Sequence, residues 1–288
     1  MLSLASLTVL VAALQGAPAP APLRLHAFSS TVFGNTRFLR VLVPPGYDDS
    51  LNAERRYPVL YLNDGQNLFD STTAIFGPRE WQVDETVTSL IATGRIPPLI
   101  VVGVDNAGRR ARAHEYLPYV DEFLQPRDSA PQGSLYPRFL VDEVLPYIDA
   151  HYRTLTGAEH TALGGSSYGA LVSLYTALTR PGTFGRLLLE SPSLYVDGEQ
   201  ILRLAGGASR WPSRVYVGVG TNETNHPDCD PATIADPGPV DDVESLALIL
   251  RMASPRPKFD VVVEPCAVHN EFAWARRLPA ALTFLYGP

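Results

Sequence analysis

The chain has 288 residues, 45% hydrophobic and 18% charged, with 23 Lys and Arg set against 30 Asp and Glu for a formal net charge of −7. That composition excludes a disordered or fibrous protein, and the length suits one large α/β domain or two small ones. No basic tract runs through the chain, which argues against nucleic acid as a partner.

Residues Leu2 to Leu14 are almost wholly apolar, and Gly16 to Pro22 are rich in Ala and Pro. The segment resembles a signal-peptide core followed by small residues around Ala17-Pro18-Ala19. A basic stretch ahead of it is missing, since the first Arg is Arg24. Residues 1–22 therefore carry two readings. One is a signal peptide, which implies a secreted or periplasmic protein; the other is a disordered N-terminal extension of a cytoplasmic one. The run is too short to span a bilayer.

Eight strands are predicted beyond it: Leu23–Phe28, Arg37–Val43, Pro58–Leu62, Leu99–Val104, Thr161–Gly164, Arg186–Ser191, Val215–Val219 and Phe259–Pro265. The runs Val59-Leu60-Tyr61-Leu62 and Leu99-Ile100-Val101-Val102 are nearly all apolar, as in parallel strands covered on both faces. The first two alternate and carry charge, which fits an antiparallel edge turning near Gly34-Asn35. Helical spacing appears in Trp81–Thr93, Tyr136–Tyr152, Tyr168–Arg180, Asp241–Met252 and Glu271–Tyr286. Pro146 and Pro279 predict a kink or break in the second and the last of these. The alternation implies a three-layer α/β fold around a mostly parallel sheet, with residues 23–288 as one domain. The irregular stretches 63–80, 105–135 and 221–240 are expected as loops at the end of the sheet that carries the site.

Gly165-Ser166-Ser167-Tyr168-Gly169 matches G-x-S-x-G, and it lies between an apolar strand and an amphipathic helix. That context lifts Ser167 above the sheet and places the N–H groups of a helix start beside it. Adjacent Ser166 lacks the second glycine at the right offset. A serine needs a base, and only His226 and His269 follow it. His269 stands between the last strand and the last helix, where the base of such a fold belongs; His226 stands in a Pro/Asp-rich loop. The acid is expected just after Val215–Val219. Glu223 is the first carboxylate there, with Asp228, Asp230 and Asp236 as later candidates.

These motifs resemble, in order, those of the Putative esterase family of α/β-hydrolases. That family includes esterase D, feruloyl and acetyl-xylan esterases, enterochelin esterases and mycolyltransferases. Tyr61-Leu62-Asn63-Asp64-Gly65-Gln66-Asn67-Leu68-Phe69 matches its first signature and Trp81-Gln82-Val83-Asp84-Glu85 its second. Asn106, Arg109, Arg112 and Glu115-Tyr116-Leu117-Pro118 follow, then the serine elbow, Gly220-Thr221-Asn222-Glu223, and His269-Asn270 with Trp274 beyond. The family's Gly-Gly before the histidine is Ala267-Val268 here. The resemblance spans about residues 25–286, is closest to the enterochelin-esterase-like branch, and implies ester chemistry without specifying the ester.

The oxyanion hole is expected from the Tyr168 N–H and from the loop after Pro58–Leu62, at Gly65 or Gln66. Arg109 and Arg112 are candidates for a polar or anionic part of the substrate, although surface ion pairs with Glu115 or Asp121 explain them equally well. Tyr116 and Trp274 are candidates for an apolar pocket. No cofactor is indicated: His114 and His151 lack partners at metal-ligand spacing, and no Walker lysine follows a Gly-rich segment.

Cys229 lies six residues after Glu223, and Cys266 three before His269. If acid and base touch, their loops run side by side and a disulfide becomes feasible in an oxidising compartment. The alternative is two reduced, partly buried thiols. The expected activity is hydrolysis of a small acyl, carbohydrate or siderophore-type ester through an acyl-enzyme. Acyl transfer by the same triad, or a non-catalytic binding protein on this scaffold, are the competing functions.

Overall fold

The computed structural model describes residues 23–287. The signal-peptide question, at residues 1–22, lies outside the described residues. No described helix is long and apolar enough to cross a membrane.

Eight strands form one sheet in the order β1-β2-β4-β3-β5-β6-β7-β8. They are β1 Leu23–Ser29, β2 Thr36–Leu42, β3 Val59–Asn63, β4 Ile100–Val104, β5 Thr161–Ser166, β6 Arg186–Glu190, β7 Arg214–Gly220 and β8 Lys258–Glu264. β1 and β2 are antiparallel, β2 meets β4 antiparallel, and every pair from β4 to β8 is parallel. β3 and β4 are buried at every position, as apolar runs without alternation demand. The β1–β2 turn uses Gly34 at φ 65° and closes with Ser30 N–H donating to Asn35 O at 2.8 Å.

The principal helices are α1 Val83–Ala92, α2 Ala111–Tyr116, α3 Tyr136–Arg138, α4 Leu145–His151, α5 Tyr168–Thr179, α6 Val196–Gly206, α7 Pro237–Met252 and α8 Glu271–Tyr286. Alternate sheet residues divide the core. Leu60, Leu62, Val101, Leu188 and Tyr216 pack against α1 and α8, while Tyr61, Val102, Leu163, Leu189 and Val217 pack against the helices of the opposite layer.

Pro146 acts as its chemistry requires. The segment Phe139–Val144 before α4 widens into a π-helix, which makes room where the proline ring would meet the carbonyl four residues back. Pro279 departs from expectation, because α8 runs through it unbroken. Leu278, Ala281, Leu282 and Leu285 are all buried against the sheet and hold both sides of the proline in register. The stretch 105–135 is not wholly irregular, since α2 lies within it.

Candidate active site

The serine motif folds as its glycines allow. Ser167 joins β5 to α5 at φ 56°, ψ −128°, a left-handed conformation for a non-glycine residue that stores about 1–3 kcal/mol. A Cβ on Gly165 would lie 2.8 Å from the Gly169 carbonyl carbon, so only glycine lets the strand end pass under the helix start. Ser167 N–H donates to Glu190 O at 3.0 Å, which pins the turn to β6. Ser166 is buried below it, its carbonyl accepting from Arg112 at 3.3 Å.

Glu223 and His269 meet at 2.6 Å, Oε2 to Nδ1. The other carboxylate oxygen, Oε1, accepts from Gly220 N–H at 2.6 Å and from the Ser191 hydroxyl at 2.8 Å. Ser191 in turn accepts from the Trp274 indole at 2.9 Å. Burial opposes ionisation of Glu223, but His269, Gly220 and Ser191 outweigh it and hold the carboxyl below the usual range. With Nδ1 engaged, Nε2 is the imidazole nitrogen free to move a proton. Ser167 and His269 line the same cavity without a hydrogen bond between them; the Ser167 hydroxyl lies 3.5 Å from that of Ser193. Such contacts are commonly long before substrate binds.

The other candidates for acid and base fall elsewhere. His226 pairs with Asp236 at 3.1 Å in the 221–236 loop, and Asp236 also accepts from the Thr224 N–H and hydroxyl, both at 2.7 Å. Asp228 and Asp230 are exposed. Cys229 and Cys266 form a disulfide with Cα atoms 5.7 Å apart, joining the Glu223 loop to the His269 loop.

After β3 the chain turns at Asp64, φ 60°, into a 3-10 turn at Gly65–Asn67. A Cβ on Gly65 would lie 2.6 Å from both Gly103 C and Asp105 Oδ1, so its glycine is required by contact with β4. Gln66 is buried, its side-chain oxygen accepting from Asn106 N–H at 3.1 Å. Asp64 receives both Arg112 Nε and Nη2, at 2.8 and 2.7 Å, and Asn106 Nδ2 at 2.6 Å. Arg112 thus fastens the Asp64 loop to the serine turn. The Tyr168 phenol donates to buried Asp121 at 2.5 Å.

The cavity in front of Ser167 is about 570 Å³. Its walls include Phe76, Trp81, Phe272 and Trp274, with Asn67 and Glu271 beside them. Of the four residues proposed to touch substrate, Trp274 and Arg112 line this space, the latter with its guanidinium already committed to Asp64. Tyr116 is fully buried behind it and accepts from Asp64 N–H at 3.2 Å. Arg109 bonds the Ile75 carbonyl and lies 5.3 Å over Phe76, outside the cavity lining.

Several site residues escape sequence reasoning. Phe76 and Phe272 carry no local signal. Glu271 follows His269 by two and bonds Asn67 Nδ2 at 2.9 Å, a pairing visible only once α8 is docked. Arg277 of α8 reaches Glu190 through Nε at 2.8 Å and Nη2 at 2.6 Å, and Glu264 through Nη1 at 2.8 Å. Burial pushes the Glu190 carboxyl up to about 7, with Arg277 pulling the other way. One guanidinium therefore ties the ends of β6 and β8, whose carbonyls hold Ser167 N–H and Thr221 N–H at 3.0 Å each.

The fold recurs in a solved structure, and the sequence resembles those of known proteins. The enterobactin esterase of Shigella flexneri superposes with a TM-score of 0.71 at 20% identity, over 94% of this chain and 61% of that one. The uncharacterized protein YjcH of Bacillus subtilis is 27% identical over 209 residues, 73% of this chain and 77% of that protein. The siderophore enterobactin esterase of Emericella nidulans is 30% identical over 169 residues, 54% of this chain and 53% of the fungal protein. The chain thus spans about half to three-quarters of these relatives. A family profile, "Putative esterase", matches residues 30–285, and the chain belongs to that family of α/β-hydrolases, with the serine-hydrolase character general to it.

Proposed function

We propose that the chain is a serine carboxylic-ester hydrolase working through an acyl-enzyme, with Ser167 as nucleophile, His269 as base and Glu223 as the orienting acid. The observation that carries this is the 2.6 Å Glu223–His269 bond at the wall of the cavity onto which Ser167 opens. His269 Nε2 takes the hydroxyl proton as Ser167 Oγ attacks the ester carbonyl, and returns it to the leaving alcohol. The developing oxyanion is received by the Tyr168 N–H at the start of α5 and by an N–H of the Gly65-Gln66 turn. Water then repeats the sequence on the acyl-enzyme. Glu223 stays ionised and stabilises the imidazolium.

Aromatic walls favour an ester with an aromatic or other apolar face. The names of the enterobactin esterases favour siderophore-type esters as the first of the three expected classes to assay. The disulfide favours an oxidising compartment. The test is hydrolysis of a short-chain aryl ester with Ser167→Ala and His269→Ala beside the parent, each checked by circular dichroism. Folded variants that retain near-parent rates defeat the proposal. Added alcohol acceptors in the same assay separate hydrolysis from acyl transfer.

A further inference from the structure

At the end of the sheet away from Ser167, the strand register sets like charges side by side. β6, β7 and β8 each begin with a cation, and pairing puts Arg186 opposite Arg214 and Arg214 opposite Lys258. Like charges directly opposite on neighbouring strands destabilise a sheet. The row also runs against the formal net charge of −7, and Lys258 is the only lysine in the sequence.

Two of the three have internal partners. Arg186 Nε donates to Leu285 O at 2.8 Å, and Arg214 Nη1 to Phe284 O and Gly287 O at 2.6 and 3.1 Å. These bonds hold the end of α8. Lys258 has no side-chain hydrogen bond or ion pair among the described residues, and nor do Arg210 and Arg256 near it. Arg210, Arg214, Arg256 and Lys258 all line one cavity of about 570 Å³, where Glu159 is the single carboxylate on the wall among the described residues. Trp211, Phe184 and three prolines supply its apolar surface. The negative poles of helix C-termini attract cations in general, but a cation in that role reaches the last carbonyls, and these three do not.

We propose that this cavity binds an organic anion: a carboxylate or phosphate group carried on an apolar body. The anionic head lies among Lys258, Arg256 and Arg210 and relieves the repulsion along the strand starts. The apolar body lies against Trp211 and the prolines. Because the cavity is at the opposite end of the sheet from Ser167, its ligand is distinct from any ester cleaved there, and the site does not depend on the catalytic assignment.

The sole lysine makes the test direct. Reductive ¹³C-methylation keeps the charge and labels Lys258 and the α-amine alone, so one side-chain NMR signal reports the cavity. The labelled protein is titrated with phenyl phosphate, phenylacetate and inorganic phosphate at constant ionic strength. The expected result is a saturable Lys258 shift with at least one organic anion, at a concentration about tenfold or more below that for inorganic phosphate. Arg210→Gln combined with Arg256→Gln, both exposed positions, weakens that binding by about tenfold or more and leaves aryl-ester turnover unchanged. Ser167→Ala protein binds as the parent does. The stronger organic probe identifies the head group. No saturable shift with either organic anion, equal shifts with all three anions, or a shift indifferent to the double substitution overturns the proposal.

Discussion

Removing the disulfide separates what covalent linkage contributes from what hydrogen bonding contributes at the site. Cys229→Ser with Cys266→Ser opens a loop of sequence separation 37. The chain-entropy relation assigns such a loop about 4 kcal/mol of stability, lost when the unfolded chain is no longer constrained. With an unfolding entropy of about 2.1 cal/mol/K per residue, that lowers Tm by about 7 °C for a domain of this size. The site itself is pinned by other bonds. Thr221 N–H donates to Glu264 O at 3.0 Å, Asn222 N–H to Ala267 O at 3.1 Å, and Cys266 N–H to the Thr221 hydroxyl at 2.8 Å. The first two do not involve the cysteines at all, and the third uses a backbone N–H that serine also carries. The expected outcome is therefore a large fall in Tm by calorimetry with less than about a tenfold loss of kcat on an aryl ester at 25 °C. An unchanged Tm refutes the entropic argument. A kcat that collapses along with Tm refutes the claim that these hydrogen bonds keep Glu223 and His269 together.

Glu223→Gln is expected to fold and to lose on the order of 10³–10⁴ in kcat; a greater loss with Asp236→Asn identifies a different acid. Because the folded structure holds Glu223 below its ordinary range, its contribution to stability is present above the unfolded carboxylate pKa and disappears as pH falls through the folded value. Acid unfolding of Glu223→Gln followed by circular dichroism should lack that component. Glu190 has the opposite sign: raised to about 7, it binds more protons folded than unfolded, so its contribution falls as pH rises from the unfolded carboxylate pKa to about 7. Urea titrations of Glu190→Gln across that range should show a flatter pH dependence than the parent. Arg277→Met leaves buried Glu190 without its cation, while Glu264 keeps Arg276, and is expected to cost about 3–5 kcal/mol in urea unfolding; a cost under about 1 kcal/mol means that the buried pair is not holding the strand ends.

Much of the fold was legible because its signals are local. The apolar runs of β3 and β4 are short and together rich in β-branched residues, as strands covered on both faces are, and the helical stripes of α1 and α5 repeat over enough turns to register. The turn at Ser167 between strand and helix could be read because the elbow's geometry is encoded in five adjacent residues. Pro279 misled, since a proline's local cost was outweighed by a buried stripe that only the docked helix displays. α2 is six residues long, too short for a periodic signal. The cavity walls were harder still. Phe76, Glu271 and Phe272 become neighbours only when α8 lies across the sheet, and Tyr116 reads as a pocket aromatic until its phenol is found bonded to Asp64 in the core.

The placement of Trp274 has a spectroscopic consequence. Its indole lies edge-on to the His269 ring, with centroids 5.2 Å apart, and its N–H connects through Ser191 to Glu223. A protonated imidazole quenches indole emission, whereas a neutral one does so far less. Trp81 sits 5.6 Å from Trp274, while Trp211 belongs to the opposite end of the sheet. Fluorescence followed against pH therefore responds to charge on the groups around Trp274, and a His269→Gln variant recorded beside the parent isolates the part that belongs to His269. The signal needs neither substrate nor a working nucleophile. It can be recorded on Ser167→Ala protein, so the surroundings of the proposed base can be followed separately from turnover.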